Sequence, residues 1–166
     1  MGLALRGYFL RFGLWSSTLQ MSLIYTVSFL YSATALAYLS LMLCWFAGSA
    51  AGAWLGSRRS WPWCLLALAL YLLHVHLPGQ PHPHLAPLAA LAGGASGGHW
   101  VVRWGQAALA STLTWETLGM ALGWWMCSLG LYWVAMPYLW WAPIIATVLV
   151  TWGEPRDAPQ GGVLDR

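Results

Sequence analysis

The sequence predicts an all-α protein, a polytopic bundle of helices that cross a membrane. Of its 166 residues, 60% are hydrophobic and only 7% are charged, and the mean hydropathy is +0.62. Soluble domains carry about 25% charged residues, so this chain lacks the polar surface that water requires. Its fourteen tryptophans point the same way, because their amphipathic rings favour membrane interfaces. The composition excludes a soluble enzyme, a nucleic-acid-binding protein and a disordered chain.

Six apolar segments are predicted to be helical spans, since a span needs about 20 residues. The first apolar stretch is too long for one span and suits two, with a reversal near Ser28 to Ser32. Arg58 and Arg59 follow the second span. The proline-rich segment from Pro78 to His84 ends the third, because a helix cannot continue through it. The predicted spans are 8–28, 32–57, 61–77, 85–104, 107–134 and 139–152, which form one membrane domain over 1–152.

The arginines predict the orientation of these spans. All seven positive residues are arginines, and cytoplasmic loops of membrane proteins carry an excess of positive charge. Six spans with a cytoplasmic N terminus place every arginine inside: Arg6, Arg11, Arg58, Arg59, Arg103, Arg156 and Arg166. A five-span arrangement would scatter them over both sides. We therefore expect a multi-pass protein of the inner or plasma membrane with both termini in the cytoplasm, ending in a disordered cytoplasmic tail over 153–166.

Small residues recur on two of the predicted spans. Gly48, Gly52 and Gly56 follow at intervals of four in the second span, and Gly119 and Gly123 do so in the fifth. Residues at this spacing share a helix face and let another backbone approach closely. Spans two and five are equivalent positions if the helices form two inverted three-helix repeats, which is the arrangement we predict. Ordinary packing within any helix bundle is the alternative.

Three segments carry a family resemblance. FAGSAAGAWLGSRR (Phe46 to Arg59) resembles the end of the second helix in the membrane domains of spermidine-synthase-like proteins. The segment from Leu19 to Leu41 fits the preceding helix–turn–helix, with Gln20 where that family often has an acidic or amide residue. TWETLGMALGWW (Thr114 to Trp125) is similar to the family's asparagine-threonine-leucine-glycine helix, with Glu116 in place of the asparagine. The resemblance implies a six-helix unit like half of a major-facilitator transporter.

The sequence also departs from that family. Its members often carry a soluble aminopropyltransferase domain with a glycine-rich loop and acidic residues. Neither a glycine-rich loop between a strand and a helix nor a pair of polyamine-binding acids occurs in this sequence. The resemblance therefore implies the membrane module alone, and we expect a non-catalytic protein.

Glu116 is the only acid inside the predicted spans. An unpaired carboxylate in hydrocarbon costs several kcal/mol or takes up a proton, so it should face the bundle interior or a wet cavity. Arg103 and His99 are candidate partners, as are the hydroxyls of Thr112 and Thr114. Three interpretations are open: a proton- or cation-responsive site, a polar anchor for a partner subunit, and a structural hydrogen bond.

Four histidines flank the predicted outer loop between spans three and four: His74, His76, His82 and His84. Imidazole is the commonest ligand for zinc, copper and haem iron, so they are candidate metal ligands. Residues two apart do not share a helix face, and no carboxylate or cysteine accompanies them, so a metal-free interfacial cluster is the alternative. His99 is a candidate axial ligand for haem or a chlorophyll-type pigment. The sequence identifies no cofactor.

Three classes of function fit these observations. We favour an accessory subunit or assembly factor of a larger membrane complex, because no catalytic constellation is present. A small transporter built as a homodimer of six-helix units, with proton coupling through Glu116, is the first alternative. A redox subunit that binds metal or haem is the second. The expected partners are the lipid bilayer and other membrane subunits or a second copy, without nucleic acid.

Overall fold

The described residues of the chain are all helical apart from short connections. The computed structural model describes residues 3–31, 35–55, 60–77, 84–104 and 109–152. No strand occurs in these ranges, so the predicted all-α class and the six helices are confirmed for them. The predicted tail over 153–166 lies outside the described residues. The helices are α1 (Leu3–Tyr31), α2 (Ala35–Leu55), α3 (Trp61–His76), α4 (Leu85–Trp104), α5 (Leu109–Val134) and α6 (Met136–Trp152).

Two helices begin before their predicted first residues. α1 starts at Leu3 rather than at residue 8, because the leucine, alanine and arginine residues there are good helix formers. α6 starts at Met136, since Pro137 lies in the first turn, where its missing N–H group costs nothing. Ala135 makes the reversal between α5 and α6 with a φ of 60°, in the left-handed region. Its N–H donates to the carbonyl oxygen of Leu131 at 3.1 Å and closes the end of α5.

The helices alternate in direction along the chain. α1 and α4 run in opposite directions, because Phe12 lies beside Trp100 whereas Leu19 lies beside Gly93. α3 begins next to the start of α1, where the hydroxyls of Tyr8 and Ser60 are 3.1 Å apart. The starts of α1 and α3 and the end of α4 therefore lie at one end of the bundle.

α1 and α4 are the central helices. α1 contacts α5, α6 and α4, and α4 contacts α2 and α3. Phe12 of α1 stacks on Trp100 of α4 at a centroid distance of 5.1 Å, and Phe9 meets the same indole edge-on at 5.0 Å. Two hydrogen bonds tie α6 to this core: Trp15 Nε1 donates to Thr147 Oγ1 at 2.9 Å, and the Tyr71 hydroxyl donates to the Leu139 carbonyl oxygen at 2.8 Å.

The helix bundle has polar residues in its interior and large apolar residues on its surface, the reverse of the usual distribution in a soluble protein. Five hydroxyl residues of α1 are buried: Ser16, Ser17, Thr18, Ser22 and Thr26. Large apolar side chains on α2, α5 and α6 are exposed instead. By length and composition, Ala35–Leu55 is the one described helix able to cross a membrane, while Trp61–His76 and Met136–Trp152 are apolar but shorter. Membrane passage by all six helices thus stays a prediction.

Candidate functional site

Glu116 lies on α5 at its close contact with α1. A Cβ atom on Gly13 of α1 would overlap the carbonyl oxygen of Glu116, and one on Gly119 would overlap the carbonyl oxygen of Leu10. The two backbones are therefore in direct contact around the candidate acid. Ser17 lies against Gly123 one turn further on, so α1 and α5 run in the same direction. The predicted packing glycines of α5 thus face α1.

The Glu116 side chain is partly buried at this contact. No hydrogen bond or ion pair joins it to another residue whose side chain the structure describes. The side chains of its predicted partners Arg103 and Thr112 lie outside that description. His99 is buried on α4, a helix that packs on α2 and α3, whereas α5 packs on α1 and α6. Both α4 and α5 contact α1, but they have no extensive contact with each other.

The glycines of α2 face α4, which contributes glycines of its own. Cβ atoms on Gly48 and Gly52 would overlap carbonyl oxygens of α4, and Cβ atoms on Gly94 and Gly98 would overlap carbonyl oxygens of α2. Positions rise together along both helices, so α2 and α4 also run in the same direction. Gly56 lies outside the described residues. The interlocked glycines bring the two backbones into contact over several turns, which favours close van der Waals packing.

The two glycine-lined pairs are built alike. Gly13 meets Glu116 and Met120 in the way that Gly94 meets Trp45 and Ser49. Gly119 meets Leu10 and Leu14 in the way that Gly48 meets Leu91 and Ala95. α1 therefore corresponds to α4, and α5 to α2, in a constant register. Under this correspondence Glu116 stands at the position that Trp45 occupies on α2.

The candidate metal ligands have different surroundings. His74 is buried, whereas His76 is exposed and its ring lies 5.3 Å from that of Trp140. His84 is exposed immediately before α4, and His82 lies outside the described residues. In the described ranges, no three His, Cys, Asp or Glu residues are grouped so that they could hold a metal ion. A four-histidine centre that includes His82 stays a prediction.

A buried polar seam between α1 and three other helices was not predicted. Thr26 Oγ1 donates to the Ser22 carbonyl oxygen at 2.7 Å and is close to the Tyr71 hydroxyl on α3, whereas Ser22 Oγ has no hydrogen-bond partner among the described residues. The thiol of Cys127 on α5 is close to Thr18 and to Tyr138 of α6. The sequence signal was the recurrence of hydroxyl residues at intervals of four along α1. Such groups fix helix register when they are hydrogen-bonded in an apolar interior.

A shallow depression lies between α1 and α2 above Ala90. Gln20, Ile24, Met42 and Trp45 line it, among others. Its cavity volume is about 10 Å³, whereas pockets for small molecules enclose about 300–1,000 Å³. The depression is too small for an ordinary ligand.

In the described ranges, these features define an all-α protein of six helices, built around two parallel, glycine-lined helix pairs that share a central contact between α1 and α4. No protein-family model matches the chain, and no curated protein or solved structure is significantly similar to it. The resemblance to membrane domains of spermidine-synthase-like proteins stays a prediction from sequence motifs.

Proposed function

We propose that this chain is a multi-pass membrane protein with six spans and both termini in the cytoplasm. The distribution of polarity supports the proposal, since large apolar side chains cover the outside while hydroxyl residues of α1 are buried. A soluble protein with such a surface would aggregate. The alternating helix directions support it too. They place the first turns of α1, with Arg6 and Arg11, and the last turn of α4, with Arg103, at one end of the bundle, in agreement with the positive-inside rule.

Within the membrane, the proposed role is that of a non-catalytic accessory subunit or assembly factor. One observation carries this proposal: α2 packs mainly on α4 and α5 mainly on α1, and the opposite face of each is exposed. These faces combine large apolar residues with small ones, the composition that membrane helices use to bind other helices. The protein would act by holding neighbouring spans in place.

Purification of the tagged full-length chain from its native membrane in mild detergent tests this role. We expect a companion membrane protein in a fixed stoichiometric ratio. Trp125→Ala with Tyr132→Ala, on the exposed face of α5, should release the companion, whereas Trp152→Ala on α6 should retain it. A chain that purifies without a companion under several detergents would contradict the proposal, as would a double variant that retains its companion.

A homodimeric transporter is the second candidate, and the likeness of the two glycine-lined pairs favours it. The correspondence of α1 with α4 and of α2 with α5 relates the unit α1–α3 to the unit α4–α6, whose helices run in the opposite directions. Many transporters are built from such inverted repeats. Glu116 would then be the proton-coupling group, at the α1–α5 contact. In liposomes containing the purified protein, Glu116→Gln should abolish pH-dependent uptake of the solute. Unchanged uptake would remove Glu116 from the mechanism.

A further inference from the structure

A proline inside α6 removes one of the backbone hydrogen bonds of that helix. Pro143 has no N–H group to donate to the carbonyl oxygen four residues earlier, which belongs to Leu139. The Leu139 carbonyl oxygen accepts instead from the hydroxyl of Tyr71 on α3, at 2.8 Å. An unpaired carbonyl is costly in an apolar interior, so a side chain of a neighbouring helix takes the place of the missing N–H group.

The part of α6 before this proline lies between two breaks in the regular backbone. It comprises residues 136–142, about two turns, and follows Ala135, whose φ of 60° is left-handed. Leu139 alone is buried in this stretch, all of which the structure describes. The rest of α6 is held more firmly, because it buries four residues and is joined to α1 by a hydrogen bond. The buried residues are Pro143, Ala146, Thr147 and Val150, and Trp15 donates the hydrogen bond to Thr147.

Side chains make the other contacts of residues 136–142 with neighbouring helices. The Tyr138 ring lies directly on Gly130 of α5, where a Cβ atom would overlap it. The Trp140 ring lies 5.3 Å from that of His76 at the end of α3. Side chains can leave such contacts by a change of rotamer. The hydrogen bond from Tyr71 therefore fixes the backbone of this stretch.

Residues 136–142 cover part of the buried polar seam. The Cys127 thiol of α5 is buried close to Tyr138 and to Thr18 of α1. Thr26 of α1 is close to the Tyr71 hydroxyl itself. A movement of this stretch away from the bundle would therefore uncover hydroxyl groups and a thiol.

α1 offers the Tyr71 hydroxyl other acceptors. Thr26 Oγ1 already lies close to it. Ser22 lies one turn before Thr26 on the same face of α1, and within the described ranges its buried Oγ has no hydrogen-bond partner. The Tyr71 hydroxyl can thus donate to α1 when the Leu139 carbonyl moves away.

We propose that residues 136–142 form a gate, which pivots at Ala135 and Pro143 and is held closed by the Tyr71 hydroxyl. In the open state, the Leu139 carbonyl oxygen accepts from water and the Tyr71 hydroxyl donates to an oxygen of α1. The number of hydrogen bonds is conserved, so a modest free energy separates the two states. Opening admits water and small polar molecules to the hydroxyl groups of α1. The gate goes beyond the proposed accessory role, because the movement takes place within one copy and needs no companion.

The Cys127 thiol is a natural probe of this gate. The full-length chain, with alanine at Cys44 and Cys64, is placed in nanodiscs and treated with a water-soluble maleimide, and mass spectrometry gives the rate of labelling. Tyr71→Phe removes the hydroxyl and keeps the ring. We expect it to speed the labelling of Cys127 by about fivefold or more, the effect of one hydrogen bond on an opening equilibrium. An unchanged rate would overturn the proposal.

Cys64 provides the matched control. It is as deeply buried as Cys127, but it lies near the start of α3, at the opposite end of the bundle. In a chain with alanine at Cys44 and Cys127, Tyr71→Phe should leave the labelling rate of Cys64 unchanged. An equal increase at both thiols would mean a general loosening of the fold and would also overturn the gate.

Pro143→Ala tests the pivot, because it supplies an N–H group that can pair with the Leu139 carbonyl oxygen. Pro143→Ala alone should slow the labelling of Cys127. Addition of Tyr71→Phe should then have no further effect, since the hydroxyl is no longer needed to hold α6. A direct effect of Tyr71 on the thiol would persist in the double variant, and that result would contradict the gate. The accessory role is judged separately, by the companion protein that copurifies.

Discussion

The glycine contact between α2 and α4 leads to a specific prediction about the stability of the fold. A Cβ atom on Gly94 would overlap the Trp45 carbonyl oxygen, which belongs to the backbone and cannot move aside by a change of rotamer. Gly97 lies on the same helix, and a Cβ atom there would meet nothing within 4 Å. The two glycines therefore provide a matched pair of sites for the same substitution.

We expect Gly94→Ala to destabilise the fold by about 3 kcal/mol, the upper end of the cost of overpacking, because the helices must separate. Gly97→Ala should be neutral or stabilise it by up to about 1 kcal/mol, since alanine favours the helix. The difference between the variants is then about 3–4 kcal/mol. Reversible unfolding by sodium dodecyl sulfate, followed by circular dichroism, measures the free energy of unfolding of each variant. Equal stability of the two variants would refute the direct backbone contact between α2 and α4.

Three further predictions concern other parts of the molecule. Ala135→Gly should stabilise the protein by about 1 kcal/mol in the same titration, because glycine adopts a φ of 60° without the steric cost that alanine has; a loss of stability would contradict the assigned turn. Trp15→Phe and Thr147→Val should each destabilise the fold, and their double-mutant cycle should give a coupling of about 1 kcal/mol for the lost hydrogen bond. A coupling of zero would count against that bond. If the outer histidines bind a metal, elemental analysis should show less bound metal after alanine replaces His74, His76, His82 and His84, and equal metal content would end that hypothesis.

The helices were predictable because strong local signals separate the apolar segments. Arg58 and Arg59 follow α2, and the proline-rich segment after α3 prevents its continuation. The start of α6 was predicted at residue 139 but lies at Met136, because a proline such as Pro137 is well accommodated in a first helical turn. Local sequence therefore predicted where helices occur better than where each begins.

The partners of the helices were not predictable in the same way. The glycines of α2 indicated a face for close packing, but periodicity does not reveal which helix covers that face. Gly94 and Gly98 form the α4 half of the contact with α2, although the sequence pattern indicated packing glycines only on the second and fifth spans. The sequence placed the candidate acid Glu116 inside the fifth span, but it did not reveal that Glu116 contacts Gly13 of α1. That contact joins residues that are far apart in the chain, and their proximity depends on the packing of the whole bundle.

The central place of α1 has a consequence for the order of assembly. α1 precedes the other five described helices in the chain, yet its most extensive contacts are with α5 and α6, which follow it at the greatest distance in sequence. During synthesis, the glycine face of α1 that receives α5 and the Trp15 side chain that binds Thr147 stay uncovered until α5 and α6 have been made. Pairing that joins distant parts of a chain is slow, because loop-closure entropy must be overcome before contacts form. α4 can pack on α2 earlier in synthesis. The two glycine-lined helix pairs therefore form at different times, although their packing is alike.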